Sequence, residues 1–92
     1  MLSGKNAVIT GARTGIGQAA VDLFAKNGAN IWACLRDADP DFHDYADFLA
    51  SRYGVWIKTI YIDLGNEASI KTGIKEILTQ KNSIDVCLLA FI

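Results

Sequence analysis

The sequence predicts an α/β chain built on a parallel sheet, and three observations carry that prediction. Apolar stretches rich in Val, Ile and Trp alternate with stretches whose apolar residues recur at helical spacing. The connections between them are short, with a single proline, Pro40, in the chain. A length of 92 residues supports one domain at most. The resulting order, β-α-β-α-β-α-β, implies right-handed crossovers between parallel strands. It is half of a doubly wound fold and the start of its second half, stopping after the fourth strand.

The first strand covers 6–10 and ends at Gly11. From Ile16, the residues Ile16, Ala19, Ala20, Leu23 and Phe24 recur at steps of three and four, predicting an amphipathic helix that buries them. Asn27 and Gly28 close it, and a second strand follows at 30–35. Asp39 then offers an N-cap, Pro40 the first helical position, and Asp41 and Asp44 charges that suit the positive end of a helix dipole. Phe42, Tyr45, Ala46, Leu49 and Tyr53 form the buried stripe of this second helix, and Gly54 ends it. A third strand is expected at 55–62 and a third helix at 66–80, the latter burying Ile70, Ile74, Ile77 and Leu78. Glu67 and Lys71 stand at the favourable i,i+4 spacing, whereas Gly73 weakens the helix by about 1 kcal/mol relative to Ala. The fourth strand begins at Ile84.

Nine basic and ten acidic side chains leave a net charge of -1 with no basic cluster, which excludes electrostatically driven binding to nucleic acid or a membrane surface. The apolar run 86–92 is far shorter than the about 20 residues that span a bilayer, and no signal peptide opens the chain, so a cytoplasmic protein is expected. Cys34 and Cys87 each lie in an apolar run and read as reduced, buried thiols. With His43 they supply too few ligands for a metal site. His43 reads as a solvated helix residue, Trp32 and Trp56 as core or helix-packing residues.

Where the first strand turns into the first helix the chain reads Thr10-Gly11-Ala12-Arg13-Thr14-Gly15-Ile16-Gly17. Gly11 permits a tight turn, Gly15 lets backbone N–H groups approach phosphates, and Gly17 lets the helix pack close to the strand. This G-x-x-x-G-x-G spacing resembles the short-chain dehydrogenase/reductase family, whose members are Rossmann-type NAD(P)-dependent oxidoreductases. Asp63-Leu64, after the third strand, resembles the family's pair that contacts the adenine ring, and Ile84-Asp85-Val86 the entry to its fourth strand. The resemblance implies that 1–92 is the N-terminal part of a single NAD(P)-binding domain.

Cofactor choice is expected at the end of the second strand. An acidic side chain there would bind the ribose 2′-OH of NAD, but the chain has Leu35 followed by Arg36, which suits the 2′-phosphate of NADP. Arg13 adds a second positive group. The expected cofactor is NADP(H), held by Gly11, Arg13, Thr14, Gly15, Ile16, Gly17, Arg36, Asp63 and Leu64.

The family's catalytic acid is the Tyr of a Tyr-x-x-x-Lys pair, with a Ser upstream. Here Tyr45 is followed four positions on by Leu49, Tyr53 by Ile57 and Tyr61 by Gly65, so no catalytic residue is assigned. Where the family reads Asn-Asn-Ala-Gly, the chain has Leu89, Ala90, Phe91 and Ile92. Loss of resemblance just before the end suggests a truncated or frame-shifted reading, or a gene remnant. In the family's strand order, 3-2-1-4 and onward, the fourth strand is internal. Here it becomes an open apolar edge that invites association, as a homo-oligomer or aggregate. The first two helices are expected on one face and the third on the other. The resemblance implies a protein that reduces a small-molecule carbonyl, and within the family it is greatest to the bacterial 3-oxoacyl-(acyl carrier protein) reductases of fatty acid biosynthesis. A non-catalytic nucleotide-binding module or an inactive remnant is the alternative.

Overall fold

The computed structural model describes residues 2–13, 15–63, 65–80 and 83–88. Their order is β1 (Asn6–Thr10), α1 (Gly15–Lys26), β2 (Asn30–Leu35), α2 (Pro40–Tyr53), β3 (Ile57–Tyr61), α3 (Glu67–Thr79) and β4 (Val86–Leu88). Thr14, Leu64 and the stretch 89–92 lie outside the described residues.

Local signals set the ends of α2. The Asp39 side chain accepts from the Phe42 backbone N–H at 3.2 Å, Pro40 opens the helix, and Gly54 closes it in the left-handed region at φ 67°. Asn66 caps α3 in the same way, accepting from Ser69 N at 3.2 Å. β3 is shorter than the expected 55–62, although both of its flanks still bond to β2, Ile31 N donating to Trp56 O and Ile62 N to Leu35 O. Val55 N donates to Ala50 O and finishes the turn out of α2, while Trp56 N donates to the Asn30 side chain.

The strands run parallel in the order β3-β2-β1-β4, the family order expected from the sequence. This is the Rossmann-type α/β arrangement, with β4 at one end of the described sheet. Ile9, Ile31, Ala33 and Leu35 face α1 and α2, joined there by Val21, Phe42, Ala46 and Leu49. Val8, Trp32, Cys34, Ile60 and Ile62 face the other way, where α3 packs through Ile77. The expected division of helices between the two faces is observed.

Three helical and strand expectations are corrected. In α1 the buried arc is Gly17, Val21 and Ala25, with Ala20 and Phe24 packed against the core as expected, while Ala19 is exposed and Ile16 and Leu23 are 64% and 57% exposed. In α3 it is Gly73 and Ile77, with Ile74 and Leu78 exposed. Each helix therefore approaches the sheet over a glycine, Gly17 in α1 and Gly73 in α3. Gly73 is where α3 comes closest, since a Cβ there would collide with Cγ1 and Cδ1 of Ile62. Cys87 is exposed rather than buried. It pairs in register with Val8 and so points to the same face as α3.

A row of polar groups crosses the strands at their N-terminal ends. Asn30 accepts from Trp56 N through Oδ1 at 3.0 Å and donates through Nδ2 to Asn6 Oδ1 at 3.1 Å. Asn6 donates through Nδ2 to Ser83 O at 3.0 Å and through its backbone N–H to Asp85 Oδ2 at 2.9 Å. Asp85 N donates back to Asn6 O at 2.8 Å.

Candidate functional site

Parallel registry brings the carboxyl ends of three strands to one edge, with Thr10 opposite Cys34 and Leu35 opposite Tyr61. The loops that follow, beginning at Gly11, Arg36 and Ile62, therefore share the crevice in which open α/β sheets bind ligands.

The loop after β1 turns sharply at Gly11, whose φ of 62° a side chain would oppose. Ala12 N donates to Cys34 O at 3.3 Å, fastening the turn to β2. Helix α1 then begins at Gly15 with no acidic residue in its first turn, so its positive end has no internal anion. A Cβ on Gly15 would meet nothing within 4 Å, whereas one on Gly17 would overlap the carbonyl of Gly11. Gly17 is thus demanded by packing, and Gly15 borders open space beside the helix N-terminus. This cradle suits the diphosphate of a dinucleotide.

Arg36 directly follows β2, and its guanidinium lies 3.9 Å (Nε) from Asp63 Oδ1. Asp63 Oδ1 also accepts from Gly65 N at 2.9 Å, and Asp63 N donates to Ser69 Oγ at 2.8 Å. Asp63 therefore shapes the turn into α3 while remaining half-exposed at the crevice. Arg13 Nη1 lies 3.5 Å from Asp39 Oδ2. Sequence reasoning treated both arginines as open positive groups, but each is paired with an aspartate brought in from another loop. Ile16 sits exposed in the first turn of α1, and expectations for Thr14 and Leu64 fall outside the described residues.

Between α1 and α2, next to the glycine turn, lies a cleft of about 130 Å³ lined by Arg13, Gln18, Asp39, Asp41, Phe42 and Tyr45. Burial pushes the Tyr45 hydroxyl above its ordinary value, helped by Asp22 and Tyr53. His43, expected to be solvated, is half-buried and ties α2 to β3. Its Nε2 lies 2.8 Å from the Tyr61 hydroxyl and its Nδ1 3.4 Å from Thr59 Oγ1. Neither partner was visible by spacing, because both come from a strand remote in sequence.

Among the described residues, no three His, Cys, Asp or Glu side chains gather as a metal site, and no helix is long and apolar enough to cross a membrane.

The sequence model of the short chain dehydrogenases matches residues 5–89. The chain is 36% identical over 85 residues to the oxidoreductase UcpA of Escherichia coli (strain K12), covering 92% of this chain and 31% of that protein. A probable NADP-dependent mannitol dehydrogenase of Yarrowia lipolytica is 34% identical over 87 residues, covering 92% of this chain and 30% of the relative. The chain thus spans about a third of the length of the curated relatives it matches. Among solved structures, the L-sorbose reductase of Gluconobacter frateurii complexed with NADPH and L-sorbose superimposes with a TM-score of 0.82 at 31% identity. It covers 94% of this chain and 32% of that one. The NADPH-dependent 3-quinuclidinone reductase of Rhodotorula rubra does so with a TM-score of 0.82 at 29% identity, covering 94% and 32%. The glycine turn, the strand order and the extent of these matches agree, and the chain belongs to the short-chain dehydrogenase family.

Proposed function

We propose that this chain is the NADP(H)-binding part of an oxidoreductase that reduces a carbonyl compound to an alcohol. The observation that carries the reading is the turn between β1 and α1, where Gly17 has no room for a side chain and Gly15 leaves the helix N-terminus open. Gly11, Gly15 and Gly17, with Thr14 and Ile16, would hold the diphosphate. Asp63 and Leu64 would hold the adenine ring, and Arg36 and Arg13 the 2′-phosphate. When bound, the nicotinamide supplies hydride to a carbonyl carbon. Support for the phosphorylated cofactor comes from Arg36 at the end of β2 and from relatives named for NADPH.

Titrating the chain calorimetrically with NADPH and with NADH tests the cofactor choice. NADPH is expected to bind more tightly, and equal or tighter binding of NADH would overturn it.

The proton that a reduced carbonyl oxygen needs has no donor of the family's kind here, since none of Tyr45, Tyr53 and Tyr61 has a Lys four positions on. The second reading, a nucleotide-binding module without catalysis, describes these 92 residues taken alone. NADPH binding without its oxidation in the presence of an acetoacetyl thioester is the expected result, and turnover by the chain would refute it. For the complete enzyme, we propose a 3-oxoacyl thioester as substrate. A higher rate with a ketose, the kind of compound in the L-sorbose complex, would replace that proposal.

A further inference from the structure

We propose that Asp39 sets how strongly the chain discriminates a 2′-phosphorylated adenosine from an unphosphorylated one, by holding Arg13 back from the phosphate. The inference rests on the assignment of Arg13 and Arg36 to the 2′-phosphate made above. Asp39 divides its two carboxylate oxygens between two tasks. Oδ1 caps α2 by accepting from Phe42 N at 3.2 Å, and Oδ2 lies 3.5 Å from Arg13 Nη1. The two partners differ in freedom, for the Asp39 side chain is 17% exposed and that of Arg13 is 63% exposed. The carboxylate is fixed by the cap, by Pro40 beside it and by the positive end of a 14-residue helix. The guanidinium is the partner that moves.

An incoming phosphate therefore competes with an anion already anchored in place. Arg36 is held less firmly. Its nearest carboxylate oxygen is 3.9 Å away, on an Asp63 side chain that is 40% exposed and shares that oxygen with Gly65 N. The two cations are thus unequal. Arg36 is released readily, whereas the contribution of Arg13 is restrained by Asp39. Replacing Asp39 by Asn removes the charge and keeps the cap, because Asn serves as well as Asp at an N-cap.

The test titrates the full 92-residue chain with adenosine 2′,5′-bisphosphate and with 5′-AMP. D39N should raise the ratio of the two affinities by roughly 1.5- to fivefold, the span an exposed ion pair commands, with 5′-AMP affinity unchanged. D41N makes the same change of net charge in the same cleft and should move the ratio less than D39N. In an R13Q background, D39N should bring no gain. D39S, which also preserves a capping oxygen, should repeat the D39N result, and matching melting curves would show that both variants fold. A ratio that is unchanged or lowered by D39N, an equal gain in D41N, or a gain that persists without Arg13 would overturn the proposal. A chain that binds neither nucleotide, or whose preference R13Q and R36Q leave untouched, would overturn the cofactor assignment itself. Preference for the bisphosphate that is lost in R36Q but insensitive to D39N would sink only the role of Asp39.

Discussion

The two faces of the sheet are closed differently. On one, α1 lies over β1 and β2 with α2 beside it reaching β3, and together they enclose a continuous cluster from Ile9 to Leu49. On the other, α3 alone packs on β3 and covers a smaller cluster around Trp32, leaving Cys87 of β4 exposed. Each face has one glycine at its tightest contact, but what the glycine meets is not the same. Gly17 abuts the backbone carbonyl of Gly11, and Gly73 abuts the side chain of Ile62. A side chain can rotate out of the way, but a carbonyl in a turn bonded to the neighbouring strand moves only if the turn moves. The face that carries the glycine turn is for that reason the less forgiving one.

Substitution at the two glycines tests this contrast directly. G17A should destabilise the chain by about 3 kcal/mol or more, at the upper end of overpacking costs, and abolish dinucleotide binding. Urea denaturation and NADPH titration would measure the two losses, and a folded G17A chain that still binds NADPH would break the contrast. G73A should cost less, about 1–2 kcal/mol. The clash with Ile62 is partly offset by the about 1 kcal/mol that Ala adds to helix propensity. Combined with I62A it should cost less than the sum of the two single changes, because both act on one contact.

The cysteines probe the second face, since both point towards it. Burial, with a smaller contribution from nearby Cys87, pushes the Cys34 thiol up from 9.0 to about 12. A folded value above the unfolded one means that the unfolded chain loses this proton first. The stabilising effect is complete below pH 9.0 and drains away as the pH climbs towards about 12. Urea melts across that window should show stability falling by roughly 1 kcal/mol per pH unit, with the fall reduced in C34A. In the native chain a thiol reagent at neutral pH should modify Cys87 and spare Cys34. Equal labelling of both would show that α3 does not seal its half of the face.

Much of the architecture was legible because it is written locally. Asp39, Pro40 and Gly54 mark the ends of α2 within a few residues of where they act, and the glycine spacing places the turn on the right junction. What escaped was of two kinds. The apolar stripes of α1 and α3 reach the core only in part, through Ala20 and Phe24 and through Ile70 and Ile77. Ile16, Leu23, Ile74 and Leu78 are bulky and exposed, while Gly17, Ala25 and Gly73 are small and buried because closeness of approach is what they supply. The pairs Arg13–Asp39, Arg36–Asp63 and His43–Tyr61 join residues from different elements, and no periodicity announces them. The residues proposed to hold the cofactor are therefore easier to read from the sequence than the residues that pair with them.

The row of polar side chains at the opposite end of the sheet gives the molecule a built-in ruler. Asn6, Asn30 and Asp85 link neighbouring strand ends only when those ends are level, and sliding any strand by one position would turn its side chain to the other face. Alignment is thus measured off at the end remote from the crevice. A change of side chain in the loops at the crevice would leave these three marks, and the alignment they record, in place.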